Sequence, residues 1–126
     1  MTTIRPFLMF QGGVARAAID LYVTAFDGAV LSSVPHPEPG QGVMLAELVL
    51  KGQHVLVSDS SVAHGFDFTP SSSLFVDCDD RAELEHLVAT LGEGGSTMMP
   101  LGEYGFSTAF AWIADAFGVS WQLNLP

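Results

Sequence analysis

Positive charge is scarce in this chain. Of its 126 residues only Arg5, Arg16, Lys51 and Arg81 are basic, against 14 acidic ones, for a formal charge of −10. Nucleic acid requires clustered Lys and Arg against its phosphates, so a nucleic-acid partner is excluded, and an anionic membrane surface is disfavoured for the same reason. Long apolar runs are missing too: none approaches the ~20 residues that span a bilayer. The opening "MTTIRPFLMFQGG" lacks the basic segment, apolar core and cleavage site of a signal peptide. Cys78 is the single cysteine, so no internal disulfide can form, and a cytoplasmic location is the expectation. Charge of either sign is low overall, at 14% against 48% hydrophobic residues. Soluble domains carry about a quarter charged residues. The deficit points to hidden surface, most simply a homodimer interface.

What is present is a plan written twice. "RPFLMF" reads as a strand and "QGG" as a break. Val14, Ala17, Ala18, Leu21, Tyr22, Ala25 and Phe26 then recur at helical spacing, with Gly28 suited to end the helix. "AVLSSV" is a strand, and the prolines and glycines of "PHPEPGQG" forbid regular structure. "VMLAELVL" and "HVLVSD" make a hairpin around "KGQ". After the linker "VAHGFDFTP" the order returns: strand "SSLFVDC", helix "DDRAELEHLVATLGEGG", strand "STMMP", loop "LGEYGFS", and a hairpin of "TAFAWIA" and "VSWQLN" around "DAFG". Leu84, Leu87, Val88 and Leu91 share one face of the second helix, and Asp80 with Glu83 makes a capping box. Ala18 to Leu84, Leu21 to Leu87, Ala25 to Leu91 and Gly52 to Gly118 are all 66 residues apart.

The spacing therefore predicts an α+β fold of two tandem βαβββ modules, about 4–60 and about 70–126, within a single domain of residues 1–126. Four strands with one helix leave a sheet face uncovered, and two such modules can curl into an open, cupped mixed sheet with the helices outside.

Three stretches, "PFLMFQGGVARAAIDLYVTAF", "FDFTPSSSLFVDC" and "PLGEYGFSTAFAWIADAFGVSWQLN", resemble the vicinal-oxygen-chelate superfamily, which includes glyoxalase I, bleomycin-resistance proteins and extradiol dioxygenases. They match best its PhnB-like branch, labelled demethylubiquinone 3-methyltransferase-like. The resemblance implies paired βαβββ modules and commonly a homodimer. It also implies, in metal-using members, four inward His, Glu or Gln ligands, two per module. Carried onto this chain those positions are Phe7, Leu56, Ser73 and Gln122. Phe and Leu cannot ligate, Ser is a poor ligand and one Gln amide is weak, so no metal is expected. His54 lies two residues from Leu56 on the same strand face, and with no carboxylate in the matched set it reads as a lining residue.

Other chemistry finds little support. No GxGxxG follows a strand and opens a helix, so the methyltransferase label has no S-adenosylmethionine site behind it. No cofactor is expected. No serine sits in a GxSxG elbow. Cys78, with Asp77, Asp79 and Asp80 nearby, is the reverse of an activated thiol and reads as a packing residue. His36, His64 and His86 read as solvated, and Glu83 and Glu85 as a helix start and its exposed face. Phe7, Phe75, Tyr104, Phe106 and Trp112 offer flat apolar surface for a small organic molecule, with Ser73, His54 and Gln122 as its polar contacts. Three functions stay open: a metal-free small-molecule binder, a metal-dependent lyase, isomerase or dioxygenase, and a regulatory or interaction module.

Overall fold

The computed structural model describes all 126 residues, which divide into two compact units, Met1–Phe66 and Asp67–Pro126. The first unit runs β1 (Phe7–Phe10), α1 (Ala15–Phe26), β2 (Ala29–Pro35), β3 (Val43–Leu50) and β4 (Gln53–Asp59). The second repeats the order as β5 (Ser73–Asp77), α2 (Arg81–Gly92), β6 (Ser96–Gly102), β7 (Ala109–Ala114) and β8 (Ser120–Leu125). The sheets are equivalent, β1-β4-β3-β2 and β5-β8-β7-β6. In each the first pair, β1–β4 or β5–β8, is parallel and the rest antiparallel. The two-module α+β architecture expected from the sequence is present, as two separate mixed sheets. No helix is long and apolar enough to cross a membrane.

Each helix packs on one face of its own sheet, α1 against β3 and β4, and α2 against β7 and β8. Alternation along the strands supplies the matching apolar face. Ala46, Leu48, Leu50, Val55 and Val57 are buried in the first unit, and Ala111, Ile113, Trp121 and Leu123 in the second. Helix α1 buries Ala18, Ile19, Tyr22, Ala25 and Phe26; of the residues counted on that face from spacing, Ala17 is exposed and Leu21 only half-buried. The apolar stripe is therefore centred closer to Ile19 and Tyr22 than the sequence pattern placed it.

The ends of the helices follow local chemistry. Helix α1 stops at Phe26, where Asp27 rather than Gly28 adopts the left-handed conformation (φ 50°). Gly28 is needed for closeness instead, since a Cβ there would lie 2.6 Å from the Val49 carbonyl oxygen. At α2 the Asp80 carboxylate accepts from Glu83 N (2.8 Å), while Glu83 Oε1 accepts from Asp79 N (2.9 Å), a capping box whose return bond reaches one residue further back. Lys51 and Gly52, both at positive φ, form the two-residue turn joining β3 to β4.

The repeat is looser than a constant offset. Ala46 faces Val57 and Ala111 faces Leu123, so β3 and β7 are 65 residues apart where β4 and β8 are 66. Phe7 stands opposite Leu56, and Phe75 opposite Gln122, so β1 and β5 are 68 apart. Counted from those registers, the second unit joins its first strand to its helix with two residues fewer than the first unit does.

Candidate functional site

Six of the eight residues singled out from the sequence lie in the second unit, and its sheet sets their directions. The faces of Trp121 and Leu123 turn towards α2, so Ser120, Gln122 and Asn124 point to the opposite, helix-free face. Register places Trp112 of β7 beside Gln122 on one side and Phe75 of β5 on the other. Ser73, two residues before Phe75, shares that face and stands opposite Ser120.

A compact polar relay links these strands. Trp112 Nε1 donates to Ser120 Oγ (2.8 Å), the Ser73 and Ser120 hydroxyls meet at 2.6 Å, and Gln122 Nε2 donates to Ser73 Oγ (3.3 Å). Ser73 Oγ also reaches the Pro70 carbonyl (3.3 Å). One consistent assignment sends the Ser120 proton to Ser73 and the Ser73 proton to Pro70, so every hydroxyl both donates and accepts. The Gln122 amide oxygen takes no part in it.

Beside the relay lies an aromatic group. Tyr104 and Phe106, on the loop after β6, stack with centroids 6.3 Å apart, and both meet Phe110 of β7 edge-on, at 6.1 and 4.9 Å. Phe75 approaches Phe110 from β5, at 6.3 Å. Phe110 is buried, whereas Phe75, Tyr104 and Phe106 are exposed. The loop is shorter than its sequence suggests, because Leu101 and Gly102 continue β6; Tyr104 OH donates to the Pro100 carbonyl, and Gly105 (φ 94°) makes the turn.

The turn below the β7–β8 hairpin is fixed by Asp115, which is buried. Its Oδ1 accepts from Phe117 N (2.9 Å) and Val119 N (3.1 Å), and its Oδ2 from Trp121 Nε1 (2.9 Å). Asp59 does comparable work in the first unit, accepting from Ala15 N and Val43 N, both at 2.9 Å. These carboxylates are structural anchors, and neither faces the relay.

Phe7 and His54 belong to the first unit. Phe7 pairs with Leu56, and His54 lies two residues before Leu56 on the same face of β4. His54 has a carboxylate partner that its strand position alone did not disclose: its Nδ1 lies 3.0 Å from Glu47 Oε2, which also accepts from Arg5 Nη1 at 3.0 Å. The hydrogen bond from His54, then that from Arg5, holds the Glu47 carboxyl below the usual glutamate range.

Two histidines expected to be solvated are engaged. His36 Nε2 lies 2.7 Å from the Asp59 carbonyl, and His64 Nε2 lies 2.8 Å from Ser60 Oγ with its ring stacked on Phe66 at 4.7 Å. Loop composition suggested water, but a backbone carbonyl reaches His36, and a serine hydroxyl and a neighbouring ring reach His64. His86 is exposed on α2 as expected. Cys78 is buried, and burial first, then Glu83, Asp77 and Asp79, pushes its thiol up to about 11.

Within the repeat, Phe75 rather than Ser73 answers to Phe7, a two-residue step that keeps the same sheet face. With either residue the set holds no imidazole or carboxylate. No group of three or more His, Cys, Asp and Glu side chains is placed to hold a metal ion. The donor set does not fit the divalent ion that the fold resemblance implies.

The profile of one protein family, described as 3-demethylubiquinone-9 3-methyltransferase, matches residues 2–124. The chain belongs to this family. A member from Bacillus cereus, the PhnB protein described provisionally as a 3-demethylubiquinone-9 3-methyltransferase, is 40% identical. The match covers 99% of this chain and 100% of that one, with a TM-score of 0.93. A protein from Pseudomonas aeruginosa is 32% identical over 99% of this chain and 98% of its own, with a TM-score of 0.87. A glyoxylase/bleomycin resistance protein/dioxygenase domain from Frankia sp. shares the fold at 16% identity and a TM-score of 0.68, covering 99% and 97% of the two chains. The family thus has the vicinal-oxygen-chelate fold. No curated protein sequence matches significantly.

Proposed function

We propose that this family member is a metal-free binder of a small, partly aromatic organic molecule, acting as a cytoplasmic homodimer. The observation that carries the reading is the helix-free face of the second sheet. There the exposed rings of Phe75, Tyr104 and Phe106 stand beside the Ser73–Ser120–Trp112–Gln122 relay. Flat apolar surface next to a few fixed polar groups is the usual composition of a small-ligand site. Phe7 and His54 present a similar mixture on one face of the first unit's own sheet. The methyltransferase description of the family finds no counterpart in these residues. Each unit has one helix and a four-stranded mixed sheet, and the glycines before α1 lack the GxGxxG spacing.

Native mass spectrometry of freshly purified protein, together with metal analysis after dialysis, tests the reading. The expected result is a dimer with substoichiometric metal and a retained organic mass. Stoichiometric zinc, iron, nickel or manganese would overturn the metal-free assignment in favour of a metal-dependent enzyme. A retained compound that binds Trp112→Ala and Gln122→Ala as tightly as the wild type would overturn the site assignment.

A further inference from the structure

The residue after the relay on the same face of β8 but one, Asn124, is more than nine-tenths buried, and its two amide atoms are treated differently. Nδ2 donates to Asp77 Oδ1 at 2.9 Å, whereas Oδ1 is buried without any hydrogen-bond partner. Rotating the amide does not help, because it would set two acceptor oxygens against each other. A buried acceptor left without a donor is costly, and it is the one such side-chain atom in the molecule. Its cross-strand neighbours are Asp77 and Phe110, so it sits at the foot of the aromatic group.

The surrounding charge selects what kind of molecule could supply the missing donor. Residues 67–126 contain nine Asp and Glu and a single basic residue, Arg81. The Arg81 guanidinium is bound to Glu85 at 3.0 Å on α2. An anionic group brought to Asn124 would meet the Asp77 carboxylate and no cation. A nitrogen–hydrogen donor on an aromatic body would meet an acceptor and ring faces, with added attraction to the rings if it is cationic.

The geometry points to Asn124 as a ligand-binding residue whose side-chain carbonyl accepts a hydrogen bond from an aromatic amine or ring N–H. This assignment rests on the small-molecule reading above and narrows it to donor-bearing, non-anionic ligands. The carbonyl is closed to solvent, so a ligand reaches it by turning a covering side chain aside. Phe75 and Phe106, 55% and 62% exposed, pack against Phe110, the cross-strand neighbour of Asn124.

Indole and benzofuran, alike in shape but for one N–H, make the test, with benzoate as the anion. Binding is followed by two-dimensional NMR on uniformly ¹⁵N-labelled protein, reading the Asn124 side-chain amide. Indole is expected to bind roughly tenfold tighter than benzofuran and to shift the Asn124 amide, with benzoate weakest. Asn124→Leu should erase the indole preference, and Phe106→Ala should weaken both probes while keeping their ratio. Equal binding of indole and benzofuran, or a preference that survives Asn124→Leu, would overturn the role of Asn124 while leaving the aromatic site intact. If Asn124→Leu fails to fold, an Asn124 amide unmoved by indole in the wild type overturns it instead. Failure of all three probes to bind would defeat the small-molecule reading and this assignment together.

Discussion

Ser120 Oγ sits 2.8 Å from Trp112 Nε1 and 2.6 Å from Ser73 Oγ, joining three strands through one buried hydroxyl. Ser120→Ala should strand the indole N–H and lower unfolding stability by about 1–3 kcal/mol. Urea denaturation measures the loss. The same change made in a Trp112→Phe background should cost clearly less, because the stranded donor is then gone. Equal costs in both backgrounds would show that the bond to Trp112 contributes nothing, leaving the Ser73 bond and packing.

Asp115 holds two backbone N–H groups and one indole N–H at the β7–β8 turn. Asp115→Ala leaves all three without their acceptor, and a loss of about 3 kcal/mol or more is expected. Asp115→Asn retains one acceptor oxygen and should lose less. A midpoint in urea that hardly moves for Asp115→Ala would mean that water replaces the carboxylate.

The depressed Glu47 carboxyl gives a pH signature in the first unit. A group whose folded pKa lies below its unfolded value contributes stability above the unfolded pKa and loses it as pH falls through the folded one. The contribution of Glu47 should therefore be present at neutral pH and disappear on acidification below the usual glutamate range. By ¹³C NMR titration, His54→Ala should raise the Glu47 midpoint more than Arg5→Gln does, since the histidine bond is the larger cause. The reverse order would assign the main role to Arg5.

Cys78, with its thiol pushed up to about 11, should resist alkylation. At pH 8 its thiolate would be on the order of a thousandth of the population. Iodoacetamide should label the native protein at least about a hundredfold more slowly than the urea-unfolded chain, as followed by intact mass. Similar rates in the two states would contradict both the burial and the acidic surroundings.

The fold was legible because period and punctuation agreed along the chain. The 3.6-residue stripe from Ala18 to Phe26, the Lys51–Gly52 turn and the Asp80–Glu83 cap are local signals, and local structure obeys them. The alternation of Trp121 and Leu123 with Gln122 fixed the face of β8 for the same reason. The site was legible only in part. Phe110, at the centre of the aromatic group, reads as one more apolar residue until β8 brings β5 and β7 to its two sides and the loop folds over it. Ser120 and Asn124 look like solvent-facing partners of Gln122, and their importance comes from Trp112 and Asp77 on neighbouring strands. Glu47 meets His54 only because β3 and β4 pair Glu47 with Leu56 and Val49 with His54, which makes the two diagonal neighbours on one face. Such cross-strand meetings have no signature within one element.

The shortened link between β5 and α2 limits how the two units can be recombined. A chimera that carries β1 and its four-residue connector onto α2 would bring two surplus residues to the strand–helix junction. Absorbed by the helix, they would turn it by about 200° and advance it by about 3 Å, presenting Ala82, Glu85 and Ala89 where Leu84, Leu87 and Leu91 now meet the sheet. Exchanges cut after the helices, at Asp27–Gly28 and Glu93–Gly94, leave each helix with the strand that sets its phase. A chimera of the two halves must therefore exchange a first strand together with its helix, and not strand by strand.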